Sequence, residues 1–329
     1  MRLFLIAAFL LTTSVCFAQR QNVYFLKEDN SLVDNKDSAD FIRVVSEPDS
    51  GATLFNVIEY YPNGNKKLTG RSKTIDPLRL QGVCLTFYKN GFRKSSENYE
   101  DGVLAGSVDE YYPNGRLSTR KEYILKDNVE PKLHYKYKTS TFTIQQAFDS
   151  LGNVTVKDGN GIYSGYNEDP VNNLKVTEEG PIKNGLRSGI WKGFDKKYDT
   201  MFEEVYENGD LVSGKAVHNG VAVNYSKTRV ENPKFPGGES GFNRYLSRGI
   251  KYPAKDRENN TQGRVVLSFV INKDGELTNA KVIRSVSEGI DNEALRMLKN
   301  SPKWIPGTAY GSPAKVRYSV PIGFALSRE

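Results

Sequence analysis

Ala314-Lys315-Val316-Arg317-Tyr318-Ser319-Val320-Pro321-Ile322-Gly323-Phe324-Ala325-Leu326 places an apolar residue at every second position from Val316 to Leu326. A strand with one buried face requires that period. Upstream, Arg264–Lys273 alternates in the same way, with Val265, Leu267, Phe269 and Ile271 on one face. Lys273-Asp274-Gly275 then supplies the Asp-Gly of a tight hairpin turn, leading into a second strand from Glu276 to about Arg284. Phe242, Tyr245 and Leu246 fall at helical spacing, and Gly249 is placed to stop that helix. A second helix carries Ile290, Ala294, Met297 and Leu298 on one side, with Asp291 as its N-cap, Lys299 near its end and Pro302 beyond it. Helix, strand, strand, helix, strand is the element order of a small α+β domain.

Before this domain a short pattern recurs. Glu59-Tyr-Tyr-Pro-Asn-Gly64, Thr86-Phe-Tyr-Lys-Asn-Gly91 and Glu110-Tyr-Tyr-Pro-Asn-Gly115 have closing glycines 27 and 24 residues apart. Val205-Tyr-Glu-Asn-Gly209 repeats it, and Phe148-Asp-Ser-Leu-Gly152 is a degenerate copy. Further glycines (Gly70, Gly82, Gly102, Gly106, Gly189, Gly214) punctuate the intervals. Aromatic residues favour a strand, Pro presets the turn, Asn tolerates it, and Gly takes the left-handed position. Each copy therefore predicts a β-hairpin with a type I turn and a bulge. One hairpin per 20-odd residues implies hairpins stacked into a long antiparallel sheet, since none buries enough surface alone. Residues 128–146 break the period and predict a bend or insertion. The tyrosines read either as ladders holding a thin sheet together or as an aromatic surface for glycan or peptide.

At the N-terminus, Met1-Arg2 precedes an apolar run, Leu3–Leu11, too short for the about 20 residues that span a bilayer. Val15-Cys16-Phe17-Ala18 before Gln19 predicts signal-peptide cleavage between Ala18 and Gln19. A retained inner-membrane anchor and lipidation at Cys16 are the alternatives. With the leader removed Cys84 is the one cysteine left, which excludes an intramolecular disulfide and predicts a buried small hydrophobe.

The 329 residues, 38% apolar and 26% charged, describe a globular chain of more than one domain. Its net charge of +7 lies in residues 233–329, which hold 16 Lys and Arg against 9 Asp and Glu. That bias reads first as a solvated basic face; the alternative is an acidic protein or a membrane surface as partner, which suits a secreted chain better than nucleic acid. The two histidines, His134 and His218, stand apart from other ligand types, which excludes a zinc site of known spacing. Asp158-Gly-Asn-Gly161 lacks the alternating carboxylates of a calcium loop and predicts a turn. No nucleophile–base pattern and no phosphate-binding loop is present. The expected class is a non-enzyme without cofactor or metal.

The ordered motifs Ile250-Lys-Tyr-Pro253, Gly263-Arg-Val-Val-Leu-Ser-Phe269, Lys273-Asp-Gly275, Trp304-Ile-Pro306, Gly311-Ser-Pro313 and Val320-Pro-Ile-Gly-Phe324 resemble the C-terminal domain of TonB-type energy transducers. The hairpin copies are similar to the MORN-like repeats of bacterial antitoxin-component proteins. Together these imply a mainly β chain: signal peptide 1–18, lead-in 19–50, hairpin repeats 51–217, linker 218–234, and a C-terminal α+β domain 235–329 with two helices on a three-stranded antiparallel sheet. The TonB resemblance implies a Gram-negative, periplasmic envelope protein whose partner is an outer-membrane TonB-dependent transporter or another envelope protein, bound by strand addition. It points to the last strand as the docking edge, at Lys315, Val316, Arg317, Tyr318, Ser319 and Val320. Lys315, Arg317 and Ser319 turn outward, Arg317 favours acidic partners, and Pro321 is easier to place on an edge than inside a sheet. Those charges equally suit edge protection against aggregation. The alternative is an inner-membrane-anchored transducer coupled to proton-driven motor proteins, with the repeats standing in for the missing proline-rich spacer. A glycan-binding or enzymatic repeat surface is a third reading.

Overall fold

The computed structural model describes residues 20–28, 30–130, 135–169, 174–218 and 220–326. Cys16, Ala18 and Gln19, and with them the expected signal-peptide cleavage site, lie outside them, as does His134. The chain divides into two compact units, one ending at Asn160 and one beginning at Gly161.

The first unit is an antiparallel meander. Its strands are β1 (Gln21–Leu26), β2 (Phe41–Ser46), β3 (Phe55–Tyr60), β4 (Lys66–Ser72), β5 (Gly82–Phe87) and β6 (Arg93–Glu100). The two-residue β7 (Val103–Leu104), then β8 (Gly106–Tyr111), β9 (Leu117–Glu130), β10 (Tyr135–Phe148) and β11 (Val154–Lys157) complete it. Successive strands pair, β7 lying at the margin of β6. Each motif copy closes a hairpin, and the ladder slips by one residue beside Tyr60, Phe87 and Tyr111, as the expected bulge requires. Of residues 128–146, expected as a bend or insertion, the described ones, 128–130 and 135–146, instead lie in two paired 14-residue strands, β9 and β10. Their cross-strand pairs run from Thr119 with Ala147 to Glu130 with Tyr135.

The turn motif also ties neighbouring copies together. The hydroxyls of Tyr61, Tyr88 and Tyr112 donate to the carbonyls of Phe87, Tyr111 and Phe148 at 2.9, 2.6 and 2.8 Å. The side-chain amides of Asn63, Asn90 and Asn114 donate to the carbonyls of Lys89, Pro113 and Ser150 at 3.0, 3.1 and 3.1 Å. Each copy thus satisfies carbonyls of the next, and the fourth, degenerate copy at Phe148–Gly152 receives both bonds.

The second unit opens with another meander: β12 (Asn160–Asp169), β13 (Leu174–Lys183), β14 (Leu186–Arg187), β15 (Gly189–Asp195), β16 (Thr200–Glu207), β17 (Asp210–His218) and β18 (Val221–Tyr225). Residues 218–234, expected as linker, hold β18, paired to β17, and a two-residue strand β19 (Val230–Glu231). On this meander's inner face, glycines lie under aromatic rings. Gly193 pairs directly with Phe202 and Gly214 with Tyr225; a Cβ on either would come within 2.3 or 2.4 Å of the ring.

The α+β domain follows: α1 (Gly238–Gly249), the short α2 (Ala254–Glu258), β20 (Gly263–Ile271), β21 (Leu277–Arg284) and α3 (Glu288–Lys299). A small hairpin, β22 (Thr308–Ala309) and β23 (Ser312–Pro313), pairs β22 with β19 and leads into β24 (Val316–Phe324). The main sheet runs β21-β20-β24, all antiparallel. Its core gathers on Trp304, whose ring centroid lies 5.2 to 5.6 Å from those of Phe269, Phe235 and Phe242. Gly275 is obligatory in the β20–β21 turn: its φ is +83° and a Cβ there would sit 2.1 Å from the Trp304 carbonyl oxygen. The N-cap of α3 is Ser287, whose Oγ accepts from the Ile290 amide at 3.2 Å, and not Asp291. Asp291 sits in the first turn and reaches back to accept from the Val286 amide at 3.0 Å. The helix begins one turn earlier than its apolar spacing announced.

Candidate binding edge

The three-stranded sheet has two outer strands, and they differ. β21 is irregular: its register against β20 slips between Val266 and Leu267 and again between Ser268 and Val270, with Asn279 at φ +54°. β24 pairs with β20 over nine consecutive residues, Val316 with Ile271 through Phe324 with Gly263, without a slip. Bulges twist an edge away from further pairing, and a straight edge offers a template. Among the described residues β24 pairs with β20 alone.

Which backbone groups β24 turns outward follows from the hairpin on the other side of β20. The Asn272 amide bonds to the Glu276 carbonyl at 2.9 Å, so even-numbered residues of β20 face β21 and odd-numbered ones face β24. The partners of those odd residues, Val316, Tyr318, Val320 and Ile322, therefore make the ladder. Arg317, Ser319 and Pro321 turn their backbone groups away from it. Pro321 has no N–H to give, so it removes one outward donor and no ladder bond.

Of the residues expected at this edge, Val316, Arg317, Tyr318, Ser319 and Val320 lie in β24, and Lys315 lies just before it. Val316 and Val320 are buried, Tyr318 is half-buried, and Lys315, Arg317 and Ser319 are exposed. Tyr318 and Val320 belong to the Trp304 core; Tyr318 meets Phe269 edge-on at 5.9 Å. Val316 belongs to a second core, with Leu174, Val176 and Phe202 of the adjoining meander. Two separate cores thus pin the strand, one at each end of the expected contact stretch.

The second core is where sequence reasoning fell short. Tyr310, between β22 and β23, is fully buried against the meander's inner face. Its ring stacks on Phe202 at 5.3 Å and its hydroxyl donates to Asp195 Oδ2 at 3.0 Å. Its amide donates to the Arg229 carbonyl at 2.6 Å. Arg229 itself turns inward: Nη2 lies 2.6 Å from Glu178 Oε2 and 2.5 Å from Glu204 Oε2. Arg187 also binds Glu178, with Nη1 2.9 Å from Oε2. Tyr225 and Tyr206 donate to the Glu204 carboxylate at 2.7 and 3.0 Å, and Asn167 donates to Glu178 at 2.7 Å. Burial opposes the charge on Glu178, yet Arg187 and Arg229 outweigh it and hold the carboxyl below its ordinary range. One signal was available. Glu178 falls in phase with buried Val176, and Glu204 in phase with Phe202 and Tyr206. A carboxylate on a buried phase announces a buried cation, but not which one.

Cys84 is buried, and burial pushes its thiol up to about 12, as a small core hydrophobe rather than a nucleophile would show. Among the described residues no cluster of three or more His, Cys, Asp or Glu could hold a metal ion, and no helix is long and apolar enough to cross a membrane.

Residues 248–326 match the family model of the Gram-negative bacterial TonB protein C-terminal. Among solved structures, the chain is similar to the NMR solution structure of the Helicobacter pylori TonB C-terminal domain, at 25% identity and a TM-score of 0.21, covering 26% of this chain and 78% of that one. No protein of curated function matches. Residues 248–326 thus carry the sequence pattern of a TonB C-terminal domain.

Proposed function

We propose that this domain captures an extended segment of an outer-membrane transporter, or of another envelope protein, by strand addition along β24. The chain acts as a non-catalytic periplasmic adaptor. The observation that carries this reading is the contrast between the two outer strands: β24 is regular over nine pairs while β21 is bulged twice. An incoming strand gains affinity from the outward backbone groups of Arg317 and Ser319, and selectivity from the side chains beside them. Exposed Lys315 and Arg317 favour an acidic segment. The second meander serves as a support for the domain, because Tyr310 of the domain and Arg229 of its approach segment both bind into it.

Ser319→Pro tests the edge directly. It removes an outward N–H as Pro321 already does, and spares the ladder to β20. Binding of a synthetic peptide from a transporter's periplasmic segment, measured by calorimetry, is expected to weaken at least about tenfold, the equivalent of a hydrogen bond or two. Circular dichroism should stay unchanged. Equal affinity in the two proteins would place the peptide elsewhere.

A further inference from the structure

The outer face of the second meander, opposite the buried carboxylates, carries two rows of side chains that cross the strands in register and a broken third. The middle row is Ser164, Glu179, Lys192, Glu203, Lys215 and Asn224, each directly paired with the next. All six are exposed. On one side runs an apolar row: Tyr166, Thr177, Phe194, Met201, Val217 and Ala222, again paired in sequence. Met201 is 65% exposed and Tyr166 54%. On the other side Ile190 pairs with Val205 and Val205 with Ser213, while Ile162 and Pro181 form a separate pair. Isolated apolar residues on a surface need no explanation, and within the sheet Lys192 already pairs with Glu203 at 3.5 Å; the apolar residues that flank this charged row on both sides do need one.

The pattern is self-complementary under one symmetry operation. Rotate a second copy by a twofold axis running along the strands, between β15 and β16, and lay it face to face. Glu179 then meets Lys215 of the other copy, and Lys192 meets Glu203. In the apolar row Phe194 meets Met201, a favourable ring–sulfur contact, and large Tyr166 meets small Ala222. On the far side Ile190 meets Val205. The other in-plane twofold, along the rows, would set Lys192 on Lys192 and Glu203 on Glu203. A closed homodimer needs one self-complementary patch. We infer that this face is an interface between two copies of the chain, related by a twofold axis along the strands, with the alternating charge row setting its register. The footprint is roughly 400 Å² per copy from strand spacing and rise. That is below the about 1,200 Å² in total of stable specific pairs, so the dimer is weak and concentration-dependent.

Each single charge reversal also repels its cross-strand neighbour within the chain, so rescue in a mixture of two variants is what separates an interface from a folding defect. Lys192→Glu and Glu203→Lys are made singly in the full chain, and self-association is measured by sedimentation equilibrium from micromolar to millimolar concentration. The parent protein dimerises. Each single variant places like charges opposite each other and should dissociate at least about tenfold more readily. Mixing the two variants sets the glutamate introduced in one against the lysine introduced in the other. The unchanged Glu203 of the first then faces the unchanged Lys192 of the second, so the heterodimer should regain the parental affinity. A parent that stays monomeric, single variants that dimerise normally, or a mixture that fails to associate would each overturn the interface. A dimer abolished by Ser319→Pro instead would assign self-association to β24.

Discussion

The two sets of hairpins share a sequence grammar and solve cohesion differently. In the first, the turns link the copies: Tyr61, Tyr88 and Tyr112, with Asn63, Asn90 and Asn114, bond neutral groups from one copy to carbonyls of the next, beside a single-carboxylate cluster in which Arg43 and Lys67 hold buried Glu59. Each bond is local to two copies, and losing one leaves the others intact. In the second, the inner face does it: Glu178 and Glu204 share Arg229, with Arg187 on Glu178 and tyrosine hydroxyls on Glu204. There the bonds converge on one side chain, which lies between the meander and the C-terminal domain. A distributed set of neutral bonds is tolerant; a convergent set of buried charges is not.

That difference is open to breakage, most severely at Arg229. Arg229→Ala would leave two carboxylates without their shared cation. It should cost about 3–5 kcal/mol in urea unfolding followed by tryptophan fluorescence, whose two reporters, Trp191 and Trp304, both lie in the second unit. The pH dependence sharpens it. Glu178 is held low in the folded protein, so its contribution is present above the ordinary carboxylate range and lost as pH falls through the lowered value. In the variant burial prevails over the weakened cation field, and the penalty should shrink toward acid pH. A penalty independent of pH would mean that the cluster's charge is not what holds it.

Gly193→Ala ranks next. The new methyl would meet the Phe202 ring at 2.3 Å and the Thr177 carbonyl at 2.7 Å, which requires displacement of the ring that stacks on Tyr310. About 1–3 kcal/mol of destabilisation is expected, also by urea unfolding. The smallest effect belongs to the first set. Tyr88→Phe removes one donor to the Tyr111 carbonyl and should cost about 1 kcal/mol, read as faster amide exchange around Gly91 and Gly115. If Tyr88→Phe cost as much as Arg229→Ala, the proposed contrast between the hairpin sets would be lost.

Much of this architecture was legible in the chain. Period-two alternation located β20 and β24, the Asp-Gly pair located the turn between them, and the Tyr-Tyr-Pro-Asn-Gly copies located hairpins and bulges. Each of those features depends on a few consecutive residues, so local physics suffices to read them. The readings that slipped were local ones with two solutions. Ser287 and Asp291 both suit the start of α3, and only the backbone path selects Ser287 as the cap.

What the sequence could not decide is what depends on distant parts meeting. It marked β24 as a candidate edge through Pro321, but that β24 is straight while β21 is bulged emerges only from the pairing of both with β20. It showed carboxylates on buried phases at Glu178 and Glu204, but the cation between them, Arg229, is 51 and 25 residues away. Nor does any spacing rule bring Tyr310 to Asp195, 115 residues apart. Strand, turn and helix signals act over one or two turns of chain and are written where they act. A buried charge is satisfied by whichever group the completed fold delivers, and that choice belongs to tertiary structure alone.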